Sequence, residues 1–374
     1  MTTLAHPSET ANAGSLLPST SPLQLIDQDG QPGGNPGGLA LPPPGVLREL
    51  HRRMALGRRF DIQATALTKQ GRLAVYPSSR GQDACQVGAA LALREQDWLF
   101  PTYRDSVAVL TRGVPAEETL TLLRGDWHCG YDPYEHRVAP QCTPLATNTL
   151  HAVGLGYAAR LRKQDQVALV LLGDGATSEG DTHEALNFAA VWKAPVVFLV
   201  QNNGYAISVP LAKQTAAPTL AAKGIGYGIP SLLIDGNDAA AVYAAARAGV
   251  ERAAAGGGPT LMEAITYRIE AHTNADDATR YRGSGEVSDW LKRDPIARLE
   301  AYLRARNLLD DAGAERLAAE AGRLAEEVRD HMNAEVRADP AELFEHVYAQ
   351  PTAALERQRA ALLAELAELE EPES

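Results

Sequence analysis

The sequence predicts an α/β protein: a doubly wound, mostly parallel sheet flanked by helices, with a helical carboxyl-terminal extension. Three observations carry that expectation. Between Gln166 and Ile269, short apolar runs at 167–172, 196–200, 231–234 and 260–267 alternate with Ala-rich stretches. Unbroken apolar runs of that length suit strands buried on both faces of a sheet. The stretch from Thr182 to Trp192 has the length and composition of a helix and lies between two of those runs. Strand, helix and strand then make a right-handed crossover with parallel strands. Beyond Asp294 the composition shifts to Ala, Leu, Glu and Arg, residues that favour helices.

Residues 1–45 are rich in Ser, Thr, Pro and Gly, including Gln31-Pro-Gly-Gly-Asn-Pro-Gly-Gly38, and are expected to form a flexible tail with a short strand near Leu23–Ile26. Order is expected from Val46, where a helical pattern runs to about Gln70. An extended piece at Leu73–Tyr76 follows, then a buried helix from Ala84 to Leu93 whose small residues permit close packing. The α/β domain is placed at 46–300 and the helical region at 301–374. In the latter, Leu362, Leu366 and Leu369 recur at helical spacing beside Leu363, as packing against the globule or a partner subunit requires.

The chain has 374 residues, with 35 basic and 47 acidic side chains and a net charge of −12. Without a long basic run, nucleic acid is not an expected partner, though a local basic pocket for a diphosphate is compatible with this balance. The three cysteines do not make a disulfide framework and fit a reducing compartment. Cys129 and Cys142 lie near His128 and His136, but no Cys-x-x-Cys pair is present, and ordinary loop cysteines are the better reading than zinc. His183-Glu184 lacks the second histidine of a metalloprotease helix. No apolar run is long enough to span a membrane, and the first residues lack signal-peptide and transit-peptide character, so a cytoplasmic location is expected.

Two short motifs carry the chemistry. Gly173-Asp174-Gly175 and Asn202-Asn203 follow the apolar runs 167–172 and 196–200, with 29 positions between Asp174 and Asn203. In a parallel pair both leave the carboxyl edge of the sheet, where open α/β folds bind ligands. A carboxylate and an amide oxygen side by side suit a hard divalent cation on a diphosphate. Taken singly, each motif is an ordinary turn.

Together they resemble the thiamin-diphosphate fingerprint. The surrounding segment, GDGATSEGDTHEALNFAAVWKAPVVFLVQNNGYAIS from Gly173 to Ser208, resembles the alpha subunit of the decarboxylating component of 2-oxo acid dehydrogenase complexes, of pyruvate and branched-chain types. The resemblance runs from about Leu50 to Arg298 and more loosely to the end. It implies the thiamin-diphosphate-binding fold, with thiamin diphosphate and Mg²⁺ as cofactors. By that resemblance Asp174, Asn203 and the Tyr205 carbonyl hold the metal, while Gly173, Gly175, Ala176 and Gln201 lie at the diphosphate. Gln201 stands where some relatives carry Arg, which removes a positive charge there.

The same resemblance assigns Tyr103 and Arg104 to the diphosphate, against the bland reading of an Arg104-Asp105 surface pair. Thr143 becomes a cofactor contact and Leu145 an apolar wedge beneath the cofactor. Cys142 and Asn148 replace a Ser and a Gln of relatives that enclose potassium, and a thiol is a poor potassium ligand, which counts against K⁺ here. His272, in the loop Glu270–Asp277, is assigned to the reactive end of the cofactor, a role suited to a near-neutral pKa.

The glutamate that such catalysis needs comes, in two-chain relatives, from a beta subunit. An α₂β₂ assembly and a lipoyl-bearing acyltransferase core are therefore the implied partners. Branched-chain 2-oxo acids such as 3-methyl-2-oxobutanoate are favoured as substrate over pyruvate. Acetoin dehydrogenase and a non-catalytic assembly subunit are more distant alternatives. A nicotinamide-binding oxidoreductase is disfavoured because no Gly-x-Gly-x-x-Gly follows the first strand, and Gly224-Ile-Gly226-Tyr-Gly228 precedes a strand instead.

Overall fold

A computed structural model describes residues 16–125, 128–334 and 339–370. They fall into two compact units divided at Asn333. The first unit is built on five parallel strands: β3 (Trp98–Phe100), β4 (Ala168–Gly173), β5 (Val196–Asn202), β8 (Ser231–Asp235) and β9 (Thr260–Ile265), in the spatial order β3-β4-β5-β9-β8. After β5 the chain makes a small antiparallel ladder of β6 (Tyr205–Ala206) with β7 (Val209–Pro210). The three-residue β3 is not among the strands that the sequence predicts. Elsewhere the apolar runs and the strands agree closely.

In the five-stranded sheet β3, β4, β5 and β9 are buried on both faces, which explains why the runs are continuous rather than alternating. Leu169, Leu171, Val197, Leu199 and Met262 face one layer. That layer contains α1 (Pro44–Lys69), α2 (Asp83–Ala92), α3 (Ser106–Thr111) and α8 (Ala239–Ala254). The alternate residues, Ala168, Val170, Leu172, Val196, Phe198 and Val200, face α6 (Thr147–Leu161) and α7 (Gly180–Val191). Between them, α4 (Ala116–Arg124) and the single turn α5 (Pro133–His136) link β3 to α6.

Two expected boundaries need correction. Part of the segment expected to be a flexible tail is a packed hairpin, β1 (Gln24–Ile26) against β2 (Pro32–Asn35). One carboxylate oxygen of Asp238 accepts from the amides of Leu25 at 2.7 Å and Ile26 at 2.8 Å, while its other oxygen caps α8 at Ala240 and Ala241. The Arg298 guanidinium donates to the Ile26 carbonyl and to Asp235. The second boundary concerns residue 300. After the short α9 (Ser284–Leu291), the chain enters α10 (Pro295–Ala305), and residue 300 falls inside it. Leu299, Tyr302 and Leu303 of that helix belong to the main core. Beyond it, α11 (Asp311–Asn333) sets Val328 and Met332 against Phe60, Ala64 and Leu67 of α1. The second unit holds α12 (Glu342–Glu345) and α13 (Ala353–Glu370), on which Leu363 and Leu369 are exposed.

The small residues of α2 have a steric cause. A Cβ on Gly88 would lie 2.8 Å from Val242 Cγ1 and 3.1 Å from the Tyr243 amide nitrogen on α8. Gly88→Val should therefore destabilise the first unit by about 1–3 kcal/mol, the usual cost of overpacking. Chemical denaturation would show this as a lower midpoint with an unchanged slope, and an unchanged midpoint would contradict the packing described.

Candidate active site

In the parallel pairing of β4 with β5, Gly173 stands opposite Gln201. The two chains therefore leave the sheet side by side and open a cavity of about 420 Å³ at its carboxyl edge. Gly173, Asp174, Gly175 and Ala176 line it from β4, and Gln201, Asn203 and Tyr205 from β5. Tyr103 and Arg104 enter from the loop after β3, Leu145 from the loop before α6, and His272 from the loop after β9. Thr143 is the exception among the residues singled out from the sequence: it is exposed and does not line the cavity. The loop pairs with its neighbour through the Cys142 carbonyl, which accepts from the Tyr103 amide at 3.0 Å, and it is Leu145 that turns inward.

The two asparagines divide their work. The Asn202 side chain donates to Glu263 at 2.7 Å and accepts from the Gly204 amide, holding the turn against β9. Asn203 faces the cavity, its NH₂ group donating to Gln82 and its oxygen accepting from the Tyr205 amide. Asp174 is 1% exposed and accepts from Gln214 Nε2 at 2.7 Å. Burial pushes its carboxyl above the ordinary carboxylate range, opposed by that hydrogen bond. Gly175 is required for the close approach of β6, since a Cβ would meet Ala206 Cβ at 2.7 Å.

Positive charge enters from two buried guanidinium groups. Arg104 donates to the carbonyls of Ser78 at 3.0 Å and His272 at 2.9 Å, and to His272 Nδ1 at 3.0 Å. Arg268 donates to the Ile207 carbonyl at 2.7 Å and to the Tyr281 hydroxyl at 2.9 Å, and approaches His272 Nδ1 at 3.3 Å. Neither forms an ion pair with a carboxylate among the described residues, and Arg268 Nε is buried without a hydrogen-bond partner. Asp105 does not pair with Arg104; it accepts from Thr102 and Gln201 instead, so the surface-pair reading is replaced.

Because arginine only donates, both contacts make His272 Nδ1 an acceptor and leave the proton on Nε2. Burial, then Arg104 and Arg268, push the imidazole down to about 4, with Asp276 acting the other way. The near-neutral value expected from the sequence is thus corrected: at pH 7 the ring is a neutral donor. Its loop is fixed by Asp276, which accepts from the His272 amide at 2.9 Å and from the Tyr281 hydroxyl, and by Arg282, which donates to the carbonyls of Ile269 and Glu270.

Sequence reasoning missed Gln82, Lys213, Gln214 and Arg268, which also line the cavity. Only Arg268 left a trace, as a lone cation four positions before His272 at the end of an apolar strand. Among the described residues there is no cluster of three or more His, Cys, Asp or Glu that could hold a metal, and no helix is long and apolar enough to cross a membrane.

Oxygen donors that follow adjacent parallel strands and two buried guanidinium groups without a carboxylate ion pair line one cavity at the carboxyl edge, where open α/β enzymes bind ligands. The dehydrogenase E1 component family matches residues 51–353, and the chain belongs to that family, as the alpha subunit of a thiamin-diphosphate-dependent, decarboxylating 2-oxo acid dehydrogenase. It is 47% identical to the 3-methyl-2-oxobutanoate dehydrogenase subunit alpha of Mycobacterium tuberculosis over 346 residues, covering 92% of this chain and 94% of the relative. It is 42% identical to the pyruvate dehydrogenase E1 component subunit alpha of Staphylococcus aureus over 267 residues, covering 71% and 72%. An alpha subunit of this kind works with a beta subunit.

The environment of His272 sets a pH dependence. Its pKa is lower in the folded chain than in the unfolded one, where 6.5 is the ordinary value, so the unfolded state takes up the proton first. The stability this group contributes is present above that ordinary value and is lost as pH falls towards 4. NMR titration of the cofactor-free protein should place the imidazole near 4, and Arg268→Met should raise it by removing a repelling cation. An imidazole that titrates at its ordinary value would refute the described geometry.

Proposed function

We propose that this alpha subunit, in an α₂β₂ heterotetramer, carries out the oxidative decarboxylation of a branched-chain 2-oxo acid, with 3-methyl-2-oxobutanoate as representative substrate. The acyl group passes to the lipoyl arm of an acyltransferase core. One observation supports the site assignment above the others: Arg104 and Arg268 are buried at the cavity without a carboxylate partner among the described residues. Burial makes both charges costly and Asp105, Asp174 and Asp276 offset them only from a distance, so the cavity suits an anion of high charge. The identity to the branched-chain relative, higher and over more of the chain than to the pyruvate relative, favours the substrate.

The residues present fit thiamin diphosphate and Mg²⁺. Asp174, the Asn203 amide oxygen and the Tyr205 carbonyl would hold the metal, a donor set of hard oxygens. Tyr103 and Arg104 would receive the diphosphate, with Gly173, Gly175, Ala176 and Gln201 around it, and Leu145 would support the cofactor on its apolar side. Bound thiamin diphosphate supplies the electron sink that decarboxylation requires. His272 offers the Nε2 proton as a neutral hydrogen-bond donor to the oxo oxygen of the substrate, and its Nδ1 is held by two arginines so that the ring cannot reorient. The convergence of these groups argues against a non-catalytic assembly subunit.

No potassium site is proposed, since the Cys142 thiol turns to the Pro144 carbonyl at 3.2 Å. The three free cysteines support a reducing, cytoplasmic setting.

Two experiments test this reading. The assembled enzyme, given an artificial electron acceptor, should turn over 3-methyl-2-oxobutanoate at least roughly tenfold more efficiently than pyruvate, as two additional methyl groups in an apolar pocket allow. The reverse preference would make it a pyruvate dehydrogenase, and turnover of neither would remove both. Arg104→Ala should weaken thiamin-diphosphate binding by about 30-fold or more, since truncating one partner of a buried charged pair costs about 2–5 kcal/mol. Isothermal calorimetry that finds the affinity unchanged would exclude Arg104 from the diphosphate.

A further inference from the structure

A row of buried side chains runs from Asp105 to the cavity edge, where Gln82, Gln201 and Asn203 line it, and no role has been assigned so far to Asp105 or Gln82. Asp105 Oδ2 accepts from the backbone amide and the hydroxyl of Thr102, each at 2.7 Å. Its Oδ1 accepts from Gln201 Nε2 at 2.7 Å. Gln201 Oε1 accepts from Gln82 Nε2 at 2.9 Å, and Gln82 Oε1 accepts from Asn203 Nδ2 at 3.1 Å. All four side chains are buried.

The row has a direction. A carboxylate offers only acceptors, whereas a side-chain amide has an accepting oxygen at one end and a donating NH₂ at the other. With both oxygens of Asp105 receiving protons, Gln201 must turn its NH₂ towards that carboxylate. Its oxygen is then left for Gln82, which must turn its own NH₂ inward and its oxygen towards Asn203. Reversing any one amide would set two NH₂ groups or two oxygens face to face in a buried place, at the cost of leaving both unsatisfied. The last amide in the row is the one assigned to the metal.

We propose that Asp105, Gln201 and Gln82 form a one-way hydrogen-bond relay that fixes the amide of Asn203, so that Oδ1 and not the NH₂ group is presented to the divalent cation. The inference rests on the metal role of Asn203 proposed above. In this relay Asp105, Gln201 and Gln82 are positioning residues: they do not bind the cation but decide which end of Asn203 does. A flipped Asn203 would point two N–H dipoles at the metal. The Tyr205 amide, which donates to Asn203 Oδ1 at 3.2 Å, favours the same orientation from the other side but can be satisfied by water. Within the relay, Gln82 and Gln201 are buried and take their partners from other side chains.

The test uses the assembled alpha–beta enzyme and the Mg²⁺ concentration that half-saturates thiamin-diphosphate binding, measured by equilibrium dialysis at fixed cofactor. Gln82→Met removes the acceptor for Asn203 Nδ2 and should raise that concentration by about 10-fold or more, the usual effect of losing a group that orients a metal ligand. Gln82→Glu retains an acceptor facing Asn203 but sets an oxygen against Gln201 Oε1, so it should raise the requirement clearly less than Gln82→Met does. Asp105→Asn, whose amide can show either end to Gln201, should raise it several-fold. A role in packing alone would move Gln82→Met and Gln82→Glu together. Equal losses in those two, or an unchanged Mg²⁺ requirement in Gln82→Met, would overturn the relay. Should neither Gln82 variant assemble, Asp105→Asn decides, and an unchanged requirement there overturns it. Asp174→Ala separates this inference from the one beneath it. If that variant keeps the parent's Mg²⁺ dependence, the metal site itself is misassigned; if it loses it while Gln82→Met does not, only the relay falls.

Discussion

Because β4 and β5 run parallel with Gly173 opposite Gln201, a residue just past the end of one strand and a residue just past the end of the other emerge together. The side-chain period and the spacing of neighbouring strands then decide what can meet at the sheet edge. A shift of one residue in that register would turn the apolar set of each strand to the other layer and separate Asp174 from Asn203. Both layers are fully packed, Leu169 and Leu171 on one side and Val170 and Leu172 on the other, so the register is held along its whole length. The cavity is in this sense a by-product of the core.

Electrostatics then builds on that frame. The loops after β3 and β9 carry Arg104 and Arg268 to the same imidazole nitrogen. Their joint effect on His272 is a single tautomer and a neutral ring, which a histidine in water would not maintain on mild acidification. The same two cations line the cavity. On the proposed placement of the diphosphate beside them, its binding and the protonation state of His272 would be coupled. An anion that offsets the arginines removes part of what depresses the imidazole.

How much could be read from the chain depended on the distance over which each feature is determined. Long apolar runs announced four strands, since burial on both faces writes itself into consecutive residues. The three residues of β3 are too few to leave such a mark. The first strand of the hairpin was expected near Leu23–Ile26, but β2 was hidden by its Pro- and Gly-rich composition, and the packing of the segment by the distance along the chain of its anchors Asp238 and Arg298. Resemblance brought out the residues that meet at the cavity, yet placed Thr143 there as well, where a local turn presents Leu145 instead. Arg268 and Gln82 carry no motif, and the pKa of His272 depends on an arginine in another loop, so only the folded chain could reveal them. Nor does the pair Asn202-Asn203 say on its face which member is tied to Glu263 and which looks into the cavity.

The two buried guanidinium groups, which make no ion pair with a carboxylate among the described residues, bear on the stability of the protein as well as on its chemistry. A ligand that binds only the folded chain stabilises it by RT ln(1 + [L]/Kd), about 2.7 kcal/mol when its concentration is a hundred times Kd. That is a large share of the net stability of an ordinary domain. On the proposed placement of the diphosphate, the vitamin-derived cofactor is in this respect a structural component: it adds negative charge beside two buried cations, and the subunit without it would be the less stable form.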